Sequence, residues 1–121
     1  MTITKSYTDF SQSKRLAEIL PLESADGHWF DGYLGVNYSQ EAKDLYYTSN
    51  YEYLPAWSLA ALFGVLPTID NEFEPQLHRS LNKYRCTYEG EEDSSGLWRV
   101  ANNPVDACYE MILKLHELNL L

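Results

Sequence analysis

Basic residues are scarce in this sequence. The chain of 121 residues holds 9 lysines and arginines against 18 aspartates and glutamates, which gives a net charge of −9. A field of this sign repels phosphate backbones, so direct binding to nucleic acid would need a local basic patch. The one cluster of bases is Arg79, Lys83 and Arg85. Strand alternation predicts that Lys83 and Arg85 lie on the face opposite Tyr84, and we interpret them as a solvated strand face.

Long hydrophobic runs are also absent. The most apolar stretch, Leu59 to Leu66, stops at Pro67 and is far shorter than the roughly 18 residues that cross a bilayer. The first residues, Met1 to Tyr7, lack the charged and apolar regions of a secretory signal. We therefore expect a cytoplasmic protein that does not bind membranes.

Cysteine is limited to Cys86 and Cys108. Cytosolic thiols stay reduced, and a free cysteine behaves as a small buried hydrophobe. Cys86 falls in a predicted strand, and Cys108 falls on the apolar face of a predicted helix. The prediction is two reduced, buried thiols without a disulfide.

The spacings typical of catalytic and metal sites are missing. The six glycines are scattered, so the chain has no glycine-rich phosphate loop, and it has no Cys-x-x-Cys or His-x-x-x-His pair. His28, His78 and His116 are far apart in sequence, and nothing places them beside either cysteine. We expect no catalytic residue, no cofactor and no metal. A small hydrolase is the less favoured alternative.

Length and residue periodicity predict a single domain of the α+β class over residues 1–121. Asp9 with Gln12 forms a capping pair, and Asn103 followed by Pro104 is a second helix start. Three helices are predicted, at about Phe10 to Leu20, Pro55 to Leu66 and Pro104 to Leu118. The middle helix is apolar almost all round, so we expect it to be buried on more than one side.

The strands are shorter and less regular. Extended runs on either side of Asp31-Gly32 predict a hairpin, and Tyr38 to Asn50 is interpreted as an irregular connection. Alternation from Lys83 to Tyr88 and from Leu97 to Val100 predicts a second hairpin. The expected architecture is about three helices packed on one small antiparallel sheet of three to five short strands.

Three blocks of the sequence carry a resemblance. They are LAEILPLESAD from Leu16 to Asp26, LPAWSLAAL from Leu54 to Leu62 with Leu66-Pro67 after it, and NPVDACYEMILKLHELNLL from Asn103 to Leu121. Together they resemble a family of short uncharacterised proteins from gut Bacteroides genomes and from their phages and mobile elements. The resemblance implies a genomic setting and no catalytic activity.

Tyrosine is unusually frequent in this sequence. Four of the ten tyrosines, Tyr46, Tyr47, Tyr51 and Tyr53, fall within one short segment. Protein interfaces are enriched in tyrosine, so these four are a candidate protein interface. The competing interpretation is a lid over the core with the hydroxyl groups directed outward.

A run of acids forms a second candidate site. Glu89, Glu91, Glu92 and Asp93 fall in one predicted loop, where such runs are usually only solvated. The functional hypothesis is an acidic loop that mimics nucleic-acid phosphates.

These patterns favour a non-enzymatic protein-interaction or accessory protein of phage or mobile-element origin. Its expected partner is an unidentified protein or a second copy of the chain, with no direct contact to nucleic acid or membrane. The alternative is an acidic mimic that inhibits a DNA-binding or RNA-binding protein.

Overall fold

The computed structural model describes residues 5–30, 33–36, 53–90 and 94–121. Within these ranges the chain forms three helices and six strands. They are α1 (Phe10–Ala17), β1 (Gly27–Phe30), β2 (Tyr33–Val36), β3 (Tyr53–Ala56), α2 (Leu59–Val65), β4 (Glu74–Ser80), β5 (Lys83–Glu89), β6 (Ser94–Ala101) and α3 (Pro104–Glu117). The chain groups into two compact units. The first unit is Ser6–Ala61, and the second is Leu62–Leu121 together with Met1–Lys5. The single domain expected from chain length stays a prediction.

In the first unit, α1 begins with the predicted capping pair. The Asp9 carboxylate accepts a hydrogen bond from the Gln12 amide at 2.8 Å, and the Gln12 side chain accepts one from the Asp9 amide at 3.0 Å. The helix turns Leu16 into the core and leaves Lys14 and Arg15 exposed, as the periodicity predicts. It packs on β3 of the same unit.

The sheet of the first unit has the order β2-β1-β3, with both pairings antiparallel. The predicted hairpin is confirmed, since Phe30 pairs with Tyr33 across the two-residue connection. His28 lies opposite Gly35, and a Cβ atom at Gly35 would overlap the His28 imidazole. Glycine at this position therefore makes room for the histidine ring.

The structure around Pro55 differs from the helix prediction. The helix predicted from Pro55 begins instead at Leu59, because residues 53–56 form β3 with Pro55 opposite His28. Proline is tolerated there because β3 is an edge strand of its sheet. Expected burial on more than one side is also wrong, since Leu62 is the one buried residue of α2.

Thr8 joins the segment before α1 to the segment after β3. Its amide donates to the Trp57 carbonyl at 2.9 Å, and its hydroxyl oxygen accepts from the Trp57 amide at 3.1 Å. The Thr8 hydroxyl also shares a 2.7 Å hydrogen bond with Ser13, and the Thr8 carbonyl accepts from the Trp29 indole at 3.0 Å. Thr8, Ser13 and Trp57 are fully buried, so these bonds satisfy polar groups that water cannot reach.

In the second unit, β4, β5 and β6 form an antiparallel sheet with β5 in the centre. The predicted β5–β6 hairpin is confirmed by its register. β4 was not predicted as a separate strand, because the turn that follows it is Leu81-Asn82. Both residues have positive φ, 50° and 63°, which suits the right-handed twist of a two-residue hairpin. Leucine is not a residue that signals such a turn.

α3 covers one face of that sheet. The Asn103 side chain accepts a hydrogen bond from the Asp106 amide at 2.8 Å, and Pro104 occupies the first turn, as predicted. The helix packs on β5 and β6. Its fully buried stripe contains Val105, Cys108, Met111, Ile112 and Leu115, and it includes the cysteine that was predicted on the apolar face.

The α+β class is confirmed, with three helices and antiparallel sheet pairing in the described ranges. The strands differ from the prediction in number and grouping, since the six described strands form two three-stranded sheets. Residues 53–56 and 74–80 form the two additional strands. Residues 53–56 were predicted partly as the start of a helix, and residues 74–80 were not separated from β5 because the turn between them was not recognised. In residues 5–30, 33–36, 53–90 and 94–121, no helix has the length and apolar character needed to cross a bilayer.

The α3 stripe leads to a stability prediction. Ile112→Ala removes a fully buried side chain and should lower the free energy of unfolding by about 2–5 kcal/mol. Leu118→Ala, at a partly exposed position past the helix end, is the control and should cost less than about 1 kcal/mol. Denaturant unfolding measures both, and equal losses would contradict the packing of Ile112 in the core.

The Thr8 network leads to a second prediction. Thr8→Val keeps the side-chain shape but leaves the buried Trp57 amide without its acceptor, so the free energy of unfolding should fall by about 1–3 kcal/mol. Thr68→Val is the matched control, because the exposed Thr68 hydroxyl donates only to Glu74. The control should change stability by less than about 0.5 kcal/mol. Thermal and denaturant unfolding would show whether the two losses differ in this order.

Candidate functional site

The second sheet has one face covered by α3 and one face open to solvent. Alternation along β5 places Tyr84, Cys86 and Tyr88 towards α3 and the intervening side chains away from it. The cross-strand registers extend this division to β4 and β6. The side chains that share the outward direction, here called the open face, are Glu74, Gln76, His78, Ser80, Lys83, Arg85, Thr87, Glu89, Trp98 and Val100.

Apolar surface lies on the β6 side of the open face. Trp98 is 49% exposed and Val100 is 45% exposed. The Arg85 guanidinium lies over the Trp98 ring, 5.2 Å from its centroid, which is within the range of a cation–π interaction. The stacked pair combines a charge and a large aromatic area, which is the composition typical of protein-binding surfaces.

Charge on the open face is separated along the strands. Arg85 pairs in register with His78, and Lys83 follows at the same end. At the other end Glu74 lies directly opposite Glu89, a like-charge pairing that destabilises a sheet. Thr87, paired with Gln76 and Trp98, lies midway between Arg85 and Glu89.

These charges have no opposite partner within the described part of the chain. The ion pairs found there join Lys5 to Asp106, Arg15 to Glu18 and Lys114 to Glu117. Glu74 and Glu89 instead accept hydrogen bonds from the hydroxyls of Thr68 at 2.7 Å and Thr87 at 2.9 Å. In the described part of the chain, the cations and carboxylates of the open face therefore form hydrogen bonds and a cation–π contact but no ion pair.

Cys86 on β5 and Cys108 on α3 both lie where the helix packs on the sheet. Both are free thiols with no exposed surface. The prediction of two buried, unlinked cysteines is confirmed. The hydrogen bond from Cys108 lowers the pKa of Cys86 and raises the pKa of Cys108, and burial adds to the rise at Cys108.

Tyr88 lies next to this pair with its side chain fully buried. Its hydroxyl has no hydrogen-bond partner among the described residues. Burial is the main cause that raises the pKa of Tyr88 well above its usual value, and the nearby thiols and Glu74 add to the rise.

Asp26 and Ser58 form the polar pair of the first unit that most resembles a catalytic arrangement. The Asp26 carboxylate accepts from the Ser58 amide at 2.8 Å and also from the Ser58 hydroxyl. The Ser58 oxygen in turn accepts from the Ala61 amide at 3.2 Å, as at a helix start. Because the serine proton is directed to a carboxylate and not to a histidine, we assign the pair a structural role.

His28 belongs to the same unit and lies in β1 opposite Gly35. Burial lowers its pKa, and its ring packs over Gly35. In the described ranges no three His, Cys, Asp or Glu side chains are grouped so that they would hold a metal ion.

The predicted site residues are only partly described. Tyr46, Tyr47 and Tyr51 lie outside the described residues, whereas the backbone of Tyr53 lies in β3 opposite Phe30. Of the acidic run, Glu89 lies in β5, and Glu91, Glu92 and Asp93 lie outside the described residues. Glu89 is therefore a strand residue of the open face and not a loop residue as predicted.

The open face was not identified from the sequence. Alternation from Lys83 onward does place Lys83 and Arg85 opposite Tyr84, as predicted. Their neighbours Glu74 and His78 were missed because β4 was not recognised as a separate strand. The alternation of Trp98 and Val100 with Leu97 and Arg99 was the sequence pattern that could have indicated an exposed apolar strand face.

No family model, curated protein or solved structure matches this chain. The residues of the open face and of the β4–β5 turn are thus the basis for functional inference.

Tyr88 gives a testable prediction about pH. Tyr88→Phe removes a buried hydroxyl that has no hydrogen-bond partner among the described residues, so the free energy of unfolding should rise by about 1 kcal/mol at pH 7. The raised pKa means that wild-type stability is intact below the unfolded-state pKa near 10 and falls as pH rises above it. The variant should lose less stability than wild type between about pH 9 and 11. Parallel losses, or a destabilised variant, would show that the hydroxyl has a stabilising partner.

Proposed function

We propose that this protein is a non-enzymatic interaction protein that binds a second copy of itself through the open face. The observation that carries the proposal is the separation of charge on that face, with Lys83 and Arg85 at one end and Glu74 and Glu89 at the other. Such a pattern is complementary to itself when one copy is reversed along the strand direction. A two-fold axis produces this arrangement, because a residue of the first copy that contacts a second residue in the other copy is matched by the reciprocal contact.

The register defines the expected contact. The two-fold axis lies between the facing sheets, runs perpendicular to the strands and passes near Thr87. It places β5 of one copy over β5 of the second copy, with the two strands running in opposite directions. Arg85 of one copy then faces Glu89 of the second, and His78 faces Glu74. The Trp98 side chains of the two copies come together, which covers the largest exposed apolar area of this face. Face-to-face sheets at a small angle are a common packing arrangement.

The size of the face sets the expected strength. Three strands of about 20 Å length cover roughly 300 Å² per copy, whereas standard stable interfaces bury about 800 Å² per partner. We therefore expect a weak, reversible dimer. The net charge of −9 opposes association at long range, so the dimer depends on the local pairing of Arg85 with Glu89.

Other parts of the proposal rest on sequence alone. The accessory role in a phage or mobile element rests on the three resembling blocks, and the cytoplasmic location rests on composition. The acidic-mimic hypothesis depends on Glu91, Glu92 and Asp93, which lie outside the described residues. Tyr46, Tyr47, Tyr51 and Tyr53 remain a further candidate surface for a protein partner.

The decisive experiment exchanges charges across the expected contact. Arg85→Glu and Glu89→Arg should each abolish self-association, because each places like charges opposite each other in the two-fold pair. An equimolar mixture of the two variants should associate, since both contacts then join opposite charges. Sedimentation velocity over a wide range of protein concentrations measures association in each sample.

Two variants serve as matched controls. Lys14→Glu and Glu110→Arg produce the same two changes in net charge at exposed positions on α1 and α3, and both should associate like wild type. Trp98→Ala should weaken association without loss of the cooperative unfolding transition. A wild-type protein that stays monomeric at every concentration, or a variant mixture that does not associate, would overturn the proposal.

A further inference from the structure

The turn between β4 and β5 holds a leucine in a conformation that leucine disfavours. Leu81 and Asn82 form this turn, and both have positive φ, 50° and 63°. Asparagine, aspartate and glycine tolerate positive φ, whereas a bulky apolar residue is strained there. The other described residues with positive φ all belong to the tolerant types, namely Asp70, Asn71, Gly96 and Asn119. Leu81 is therefore the exception among them.

Leu81 is also the most exposed of the large apolar residues that the structure describes. It is 93% exposed, so its contacts within the described chain do little to offset the backbone strain. Asparagine at this position would suit both the turn and the solvent. A residue that breaks local preferences without a gain inside the fold points to a functional constraint. For Leu81 the gain would come from a surface outside the protein.

Positive charge flanks this tip. Arg79 and Lys83 lie two residues before and two residues after Leu81, and both are exposed. The Arg79 guanidinium is on the covered side, 6.0 Å from the centroid of the Tyr84 ring, and Lys83 is on the open side. The sequence from Pro75 to Tyr88 contains no aspartate or glutamate. The hairpin thus ends in one leucine with a cation on either face.

The acids of the second sheet do not cancel this local charge. Glu74 and Glu89 lie at the far end of β4 and β5, about 20 Å from the turn at the rise of an extended chain. Exposed charges are largely screened beyond about 8 Å at physiological ionic strength. Asp106, in the first turn of α3, is paired with Lys5 at 2.9 Å. Among the described residues of the second unit, an anionic surface at the tip therefore meets positive charge.

We propose that the β4–β5 turn is a membrane-docking tip, with Leu81 entering the interface of an anionic bilayer while Arg79 and Lys83 bind lipid phosphates. The spacing supports this assignment. Two residues of extended chain, about 7 Å, separate each cation from the leucine. Apolar side chains of interfacial segments enter the boundary between headgroups and acyl chains by about 5–10 Å. The cations therefore lie at headgroup depth when Leu81 reaches the acyl chains.

A bilayer fits this tip better than a protein or nucleic-acid partner does. The tip is convex and its apolar part is one side chain, whereas standard protein interfaces bury about 800 Å² per partner. A leucine that projects ahead of the cations would have to unstack the bases of a duplex. A bilayer accepts a single apolar side chain without a matching pocket. The absence of long apolar runs predicted no membrane contact, but a docking tip needs no such run.

This contact goes beyond the proposed self-association. Leu81 lies in the turn and not on the open face, whereas the dimer depends on the pairing of Arg85 with Glu89. One leucine and two cations support only weak binding, since each base near an anionic surface contributes roughly fivefold in affinity. We therefore expect reversible binding to anionic bilayers and none to neutral ones.

The experiment mixes the full chain with vesicles of equal parts phosphatidylglycerol and phosphatidylcholine, or of phosphatidylcholine alone. Cosedimentation over a range of lipid concentrations measures the bound fraction, and wild type should bind only the anionic vesicles. Leu81→Asn should weaken binding about tenfold, because it removes the inserted side chain, and Leu81→Phe should retain it. Arg79→Gln and Lys83→Gln should each weaken binding about fivefold.

Matched controls separate docking from folding, net charge and self-association. Leu118→Asn removes a partly exposed leucine past the end of α3, and Lys14→Gln removes an exposed cation of α1. Both controls should bind vesicles like wild type. The melting temperature of Leu81→Asn should equal or exceed that of wild type, because asparagine is favoured at positive φ. Sedimentation velocity should show that Leu81→Asn self-associates like wild type, which distinguishes loss of docking from loss of the dimer.

Several outcomes would overturn the proposal. Wild-type protein that does not bind anionic vesicles would do so, as would a Leu81→Asn variant that binds them as tightly as wild type. A lowered melting temperature of Leu81→Asn would assign the leucine a role inside the fold. Tighter binding of wild type to a DNA duplex than to the vesicles, measured by fluorescence anisotropy, would assign the cations to nucleic acid.

Discussion

The packing of α3 against β5 and β6 is the contact on which the candidate site depends. A three-stranded sheet has two faces, and the stripe that contains Met111, Ile112 and Leu115 covers one of them. Covering that face removes Cys86 and Tyr88 from water. It also leaves Lys83 and Arg85 exposed on the other side of β5, where Thr87 is buried. The same contact thus creates two buried thiols on one side and a charged, partly aromatic surface on the other.

The open face differs from an ordinary solvated strand surface in two respects. Its cations and carboxylates form no ion pair within the described part of the chain, and they occupy opposite ends of the strands. The Arg85–Trp98 stack adds an aromatic surface near the centre. An isolated strand pair gains nothing from placing Glu74 opposite Glu89, because like charges across a sheet repel. A second copy that brings Arg85 to Glu89 would offset that repulsion.

The first unit contains two groups of hydrogen-bonded polar side chains that link separate segments of the chain. Thr8, Ser13 and Trp57 are buried and use their hydrogen-bonding atoms on one another. Asp26 and Ser58 likewise hold the start of α2. The Ser58 hydroxyl donates to the Asp26 carboxylate, and the Ser58 oxygen accepts from the Ala61 amide at the start of α2. These groups orient the chain where regular secondary structure does not satisfy its backbone.

Local chemistry in the sequence by itself determined the helix starts at Asp9 and Asn103, the stripe of α3, the β1–β2 hairpin and the burial of both cysteines. Each of these depends on neighbouring residues, through capping, proline geometry or a repeated period. Only the tertiary structure decided that Pro55 lies in a strand and that Leu81-Asn82 forms a turn. It also decided that Glu74, Arg85 and Trp98 share a face. These features depend on which strands pair and in which register, and pairing joins residues that are distant in sequence. A strand edge tolerates Pro55, and hairpin pairing holds Leu81 in a conformation that its own preference disfavours.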